Sequence, residues 1–342
     1  MRRFSFITIA LWVISATLLA QTNARPVSNP TAKDFAGTLT FLSSDWMEGR
    51  EAGTRGSFMA ADFIAFMMQL QGLAPYGDFD TLKPGQTGKP GSKTIFQHSY
   101  FQDFEMKLYY VEKIGSYSLI LGRPGSVVIS NITGIIRGKD STKSVVVGAH
   151  YDHLGIYDGH IYNGADDNAS GVSGMLALAK KWCEHSEQPA CNIIFAAWTA
   201  EEKGRLGSRY FVRHTNPNPG QLLAYINMDM ISRSAPEDTA TRQLSIGTMT
   251  ESEGLRQIAI ASNLRLPHPF ELELWDVTGH TGSDYASFIA KNIPVMTFFS
   301  GYQVDYHTPE DDADKADLKK MDDILKIVND CIREVTESSW DK

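Results

Sequence analysis

A three-layer αβα sandwich, with a mainly parallel but partly mixed central sheet, is the fold the sequence predicts. Two observations predict it. Four short, continuous apolar runs, SVVVGAH (144–150), CNIIFAAWTA (191–200), LLAYINMDMI (222–231) and IPVMTFF (293–299), have the length and content of strands buried on both faces. Helical patterns alternate with them, and that alternation implies a sheet wrapped by helices on both sides.

Taken in order, residues 31–75 read as helical around the polar turn SSDWMEGREAGTRGS, with Phe63, Ile64, Met67 and Leu70 at helical spacing. Residues 76–95 are rich in Gly, Pro and polar groups and read as a long surface loop. YFQDFEMKLYYVEK and SVVISNITGIIRG read as neighbouring, antiparallel strands. After SVVVGAH, Gly171 to Trp182 is a helix with Val172, Met175, Leu176 and Ala179 on one side. QLSIGTM is a further strand, while SEGLRQIAIASNL and SDYASFIAKN read as helices. A long amphipathic helix closes the pattern through Leu318, Met321, Leu325, Val328, Ile332 and Val335. No composition break divides residues 25–342, which are expected to form one domain.

Composition bounds the function. The chain has 342 residues, 42% of them hydrophobic and 21% charged, as expected for a globular protein with a sizeable core. A net charge of −8 without any Lys/Arg cluster argues against a nucleic-acid partner. Residues 1–24 read as a signal peptide: Met1-Arg2-Arg3 is a basic n-region, Phe4 to Ala20 an apolar h-region, and cleavage follows Ala20 or Ala24. The protein is therefore expected to be exported, periplasmic or secreted, with no stable membrane insertion once the signal is removed. Cys183 and Cys191 flank a short turn, which leaves a disulfide and two buried thiols equally open. Cys331 belongs to the core.

Chemistry enters at the strand ends. His150 ends one buried run, Glu201-Glu202 end the second, Asp229 ends the third, and the fourth leads into the loop carrying His307. In open α/β sheets ligands bind at the carboxyl ends of the strands, so these side chains are expected to converge. His150, Glu202, Asp229 and His307, with Asp166 from the tight turn GADDN, supply two imidazoles and three carboxylates, a shell suited to two zinc ions. Three carboxylates against two dications leave about one positive charge, which a hydroxide would neutralise. One carboxylate must bridge, and Asp166 is the expected one. Glu201 and Glu202 diverge as consecutive residues, so one can bind metal while the other acts as a base. Asp152 lies two residues after His150 and is placed to accept a hydrogen bond from its second ring nitrogen.

GAHYDHLG, GADDNASGV, the Glu-Glu pair, the NMDM aspartate and YHTPED closely resemble the secreted co-catalytic di-zinc aminopeptidases, typified by bacterial leucyl aminopeptidases. The resemblance runs from about residue 36 onward, with its motifs between 148 and 310, and implies the zinc-exopeptidase (phosphorylase/hydrolase-like) version of the fold. It implies that His150, Asp166 and Asp229 hold one zinc and Asp166, Glu202 and His307 the other, with a cis peptide at Asp166-Asp167. It further implies that Glu201 is the general base, that Asp152 orients His150, and that the substrates are peptides with a free N-terminus. One departure is Ser283-Asp284-Tyr285, where many relatives have Ser-Asp-His. Met230, His280, Asp284, Met296, Phe298 and Tyr302 are candidates for the substrate pocket, and His153 reads as a surface or supporting residue. Glutaminyl cyclisation and carboxypeptidase activity are the alternatives on the same scaffold.

Overall fold

The computed structural model describes residues 26–81, 96–114, 117–214, 218–337 and 340. The expected signal peptide and most of the 76–95 loop lie outside these residues. Among the described residues no helix is long and apolar enough to cross a membrane.

Seven helices are described: α1 (Ala32–Leu42), α2 (Arg55–Gln71), α3 (Gly171–Glu184), α4 (Leu206–Arg213), α5 (Glu253–Leu264), α6 (Tyr285–Ile289) and α7 (Leu318–Glu337). The strands are β1 (Ala74–Pro75), β2 (Phe79–Thr81), β3 (Phe96–His98), β4 (Phe101–Ile114), β5 (Tyr117–Ile136), β6 (Asp140–His150) and β7 (Gly155–Tyr157). They continue with β8 (His160–Tyr162), β9 (Cys191–Trp198), β10 (Gln221–Met228), β11 (Gln243–Thr248), β12 (Glu271–Asp276) and β13 (Val295–Phe299). The main sheet runs β1-β5-β9-β6-β10-β13-β11-β12, with β4 paired along β5.

The four apolar runs are its centre. β9, β6, β10 and β13 are mutually parallel, so all four carboxyl ends lie along one edge. β5 against β9 and β11 against β13 are antiparallel, which makes the sheet mixed as expected. Every residue of β9 is buried, so both faces are covered and the run needs no polar alternation.

The two faces carry separate cores. Val145, Val147, Ile193 and Phe195 point into the larger one, under α3 and α7. The apolar stripe of α7 (Met321, Leu325, Val328, Ile332, Val335) packs there, and α1, α2 and α5 complete that layer. Val146, Ile194, Trp198, Tyr225 and Phe288 form the other core, beneath only the short α4 and α6 among the described residues. The helix expected over SDYASFIAKN is reduced to the five residues of α6, so the second layer is thin. β12, α4 and the β7-β8 hairpin are elements beyond those the sequence pattern predicts. Cys183, Cys191 and Cys331 are all free thiols, so the open disulfide alternative is not formed.

Candidate metal centre and its cleft

The expected convergence occurs at the carboxyl edge of the parallel strands. His150 is the last residue of β6, Asp229 follows β10 directly, and Glu201-Glu202 follow β9 after a two-residue turn. Positive φ angles at Ala200, Met230 and His307 turn the chain sharply beside these residues. Non-glycine residues adopt that conformation at a cost, and such strain clusters at functional sites.

Asp167, rather than Asp166, occupies the middle. Its Oδ1 lies 3.3 Å from His150 Nε2, which is also 3.4 Å from Asp229 Oδ1. Its Oδ2 lies 3.0 Å from His307 Nε2, which is 3.5 Å from Glu202 Oε1. One carboxylate therefore faces two donor sets with its two oxygens. The expectation for Asp166 is corrected by one residue. The Asp166 carboxylate turns away and accepts hydrogen bonds from the Ser232 amide and hydroxyl, both at 2.8 Å. Neighbouring side chains in the turn diverge, so only one of the two acids can face the strand ends. The cis peptide is correspondingly Asp167-Asn168, not Asp166-Asp167.

His153 is the residue the sequence reading undervalued. It is fully buried, and its Nδ1 stands 3.0 Å from Glu202 Oε1 and 3.7 Å from Asp167 Oδ2. The second donor set thus has two imidazoles within reach, His153 and His307. His153 Nε2 is buried without a partner among the described residues. Gly164 makes room for this ring, because a Cβ there would come within 2.5 Å of it. The spacing HYDH was visible in the sequence, but extended-strand alternation does not distinguish a ligand from a buried support.

The separations fit zinc. Tetrahedral ligands at about 2.1 Å from a zinc ion lie roughly 3.4 Å from one another. Both contacts of His150 match, and the second set brackets that value. The electrostatics agree. Burial acts against charge on His150, but Asp229 and Asp167 outweigh it and hold the ring well above the ordinary histidine pKa. Burial similarly opposes protonation of His307, while Asp167 and Glu202 raise it to about 10. Burial pushes Glu201 up to about 9, with His150 lowering it and Asp284, Asp229 and Asp152 raising it further. So many buried carboxylates draw positive charge into the site, which a pair of dications would satisfy.

Supporting contacts hold each donor. Asp152 contacts the site by a different route from the one expected. His150 Nδ1 meets the Asp152 main-chain oxygen at 3.1 Å and lies 3.8 Å from the carboxylate. The carboxylate instead accepts the Glu201 and Glu202 amides at 3.0 and 3.3 Å. Asp229 Oδ2 accepts from Ser283 at 2.6 Å, the end of a buried relay through Asn227, Tyr225 and Trp198. Asp311, two residues past the HTP of the last motif, accepts the Asp166 and Asp167 amides at 3.1 to 3.2 Å.

Arg50 fastens the same turns from below. Fully buried, it donates to the carbonyls of Leu42, Tyr151, Asn163 and Gly164, and so ties the His150 and Asp167 loops together. Burial lowers its pKa to about 10, against the raising effect of Asp167, Asp152, Asp311 and Glu202, so the guanidinium stays charged. In the sequence it sat within a turn read only as polar. Arg50→Met leaves four carbonyls without their donor and is expected to destabilise the protein by about 3 kcal/mol or more. Urea unfolding measures it; a loss below about 0.5 kcal/mol would refute the role.

The donors open into a cleft of about 300 Å³. Of the expected pocket residues, Met230, His280 and Tyr302 line it. Met296 and Phe298 do not: they are fully buried in the larger core, on the α5 side of the sheet. Thr297 and Phe299, one position on, line the cleft instead, as strand alternation requires. Asp284 is also excluded, being fully buried, with a carboxyl that burial pushes up to about 6 despite His150. Tyr285, the departure from the Ser-Asp-His pattern, lines the cleft and receives the Gly282 amide on its hydroxyl at 3.2 Å.

Comparison with known proteins follows the same lines. Residues 131–332 match the profile of peptidase family M28. The chain is 31% identical over 188 residues to leucine aminopeptidase 2 of Trichophyton equinum, covering 53% of this chain and 35% of that protein. It thus spans about a third of the length of the curated relatives it matches. A zinc aminopeptidase from Bacillus subtilis superposes with a TM-score of 0.66 at 19% identity, over 92% of this chain and 98% of that one. A glutaminyl cyclase from Porphyromonas gingivalis superposes with a TM-score of 0.62 at 16% identity, over 90% and 99%. At such identities the two structures establish the fold and nothing further.

Proposed function

The chain belongs to peptidase family M28, and from that membership we propose that it is an exported zinc aminopeptidase releasing N-terminal residues from peptides. The observation that carries the reading is the Asp167 carboxylate facing two donor sets at zinc-compatible spacing. In this reading His150, Asp167 and Asp229 hold one ion, and Asp167, Glu202 and His307, with His153 within reach, hold the other. Bound zinc would supply the positive charge that polarises a peptide carbonyl and acidifies a water molecule.

The chain's own groups do the rest. Glu201 lines the cleft without belonging to either donor set, free to take the proton of the attacking water and pass it to the leaving amine. Asp152 fixes its backbone from beneath. Ser283 holds the Asp229 carboxylate in one orientation. No Lys or Arg is among the described residues lining the cleft, and this acidic wall favours the amino end of a peptide over its carboxylate end. That argues against carboxypeptidase action. The cyclase alternative has only the likeness of fold, and the double donor set gives cyclisation no evident use. Export rests on the basic and apolar character of residues 1–24.

The test is incubation with peptides bearing free, acetylated or N-terminal glutamine ends, followed by mass spectrometry. Stepwise loss from free amino ends alone is expected, with about two zinc ions per chain and activity abolished by chelation. Trimming of acetylated peptides from the carboxyl end, or pyroglutamate as the only product, would overturn it.

A further inference from the structure

The thin second layer leaves part of the sheet open beside the metal centre, and the residues exposed there say which side chain it suits. Two cross-strand rows of β13, β11 and β12 run across this face. Phe299, Ser245 and Glu273 are in register in the first, and Thr297, Gly247 and Trp275 in the second. All but Gly247 line the cleft. Residues opposite one another on adjacent strands are about 5 Å apart, so Glu273 stands roughly 10 Å across the wall from Phe299.

Gly247 explains how the wall is shaped. A Cβ there would come within 2.7 Å of the Trp275 indole, so the missing side chain lets that ring lie across the strand. Trp275 meets Tyr285 edge-on at 5.9 Å and His280 at 5.1 Å. The result is an aromatic trough with one carboxylate at its outer strand. Glu273 is exposed, and its carboxylate has no ion pair or hydrogen bond among the described residues. No lysine or arginine among the described residues lines the cleft to neutralise it.

We propose that Glu273 and Trp275 make this cleft selective for substrates whose N-terminal residue is basic, lysine or arginine. The aliphatic stem lies along the aromatic trough and the ammonium or guanidinium reaches the Glu273 carboxylate. A leucine side chain fills the same trough but leaves Glu273 unused. The inference rests on the aminopeptidase reading above and adds the substrate class.

The test compares kcat/KM for the p-nitroanilides of lysine and leucine on zinc-loaded protein and on Glu273→Gln. The wild type favours lysine. The substitution lowers the lysine-to-leucine ratio by about fivefold, through KM, with leucine turnover changing by no more than about twofold. Raising the salt concentration narrows the wild-type ratio, because the contact is at the exposed rim. A ratio that Glu273→Gln leaves unchanged while leucine is still hydrolysed overturns this inference and leaves the aminopeptidase reading standing. Should neither anilide be hydrolysed, that reading fails, and calorimetric binding of lysinamide against norleucinamide decides the pocket. Tighter lysinamide binding that Glu273→Gln abolishes supports the proposal, and equal binding overturns it.

Discussion

Asp167→Ala is expected to strip the protein of zinc at both positions and to reduce hydrolysis to background, a loss of about 10³-fold or more. The carboxylate offers Oδ1 to the His150 and Asp229 side and Oδ2 to the His307 and Glu202 side. Its removal therefore takes a donor from each set, while any other single substitution takes a donor from one. The companion variant Asp166→Asn separates this from a general effect on the turn. Asn keeps an oxygen for the Ser232 amide and hydroxyl, so that variant should retain about two zinc ions and most of its activity. Metal analysis of the two purified proteins decides the matter. If Asp166→Asn loses zinc and Asp167→Ala keeps it, the bridging role belongs to Asp166.

The contrast between these two aspartates shows what could be read in the chain. The turn GADDN was recognisable as the place to expect a bridging carboxylate, because a tight turn entering a helix aims its side chain at a fixed place. Which of two adjacent acids faces inward depends on backbone angles inside the turn, and residue types do not encode those locally. The pocket shows the same fault by one position. IPVMTFF was readable as a buried strand, yet apolar residues on both faces hide the alternation, so Met296 and Phe298 stood in for Thr297 and Phe299. The parallel centre of the sheet, by contrast, followed from the length and periodicity of the runs, which tolerate an error of one residue.

Residues that act at a distance along the chain were not legible at all. Arg50 sits 101 positions before one carbonyl it binds and 114 before another. Asp311 holds the amides of a turn 144 and 145 residues earlier. Neither carries a local pattern, since an arginine or aspartate in a polar loop is most often solvated. β12 was missed for a related reason: ELELWD alternates charged and apolar residues at the outermost position of the sheet, and its acidic members resemble a loop. That edge strand is the one supplying Glu273 and Trp275 to the cleft. The sequence motifs thus locate the candidate metal centre, while the wall that would discriminate among substrates comes from a segment without any motif.

Glu201→Gln is expected to lower kcat by about 10³- to 10⁴-fold while leaving zinc content unchanged. The separation of the two effects is the point. Glu201 has no atom in either donor set, whereas the adjacent Glu202 lies 3.0 Å from His153 and 3.5 Å from His307. Asp152 fixes the amides of both glutamates, so the backbone of a variant at 201 should stay in place. Glutamine matches glutamate in size but cannot accept a proton, so the loss should fall on kcat with little change in KM. Glu202→Gln should behave in the opposite order, losing zinc first and activity as a consequence. Addition of excess zinc would then restore part of the activity of Glu202→Gln and none of that of Glu201→Gln. Near-normal turnover by Glu201→Gln would remove it from proton transfer. Loss of zinc from that variant would place it among the ligands, and the proton would then need another carrier among the groups lining the cleft.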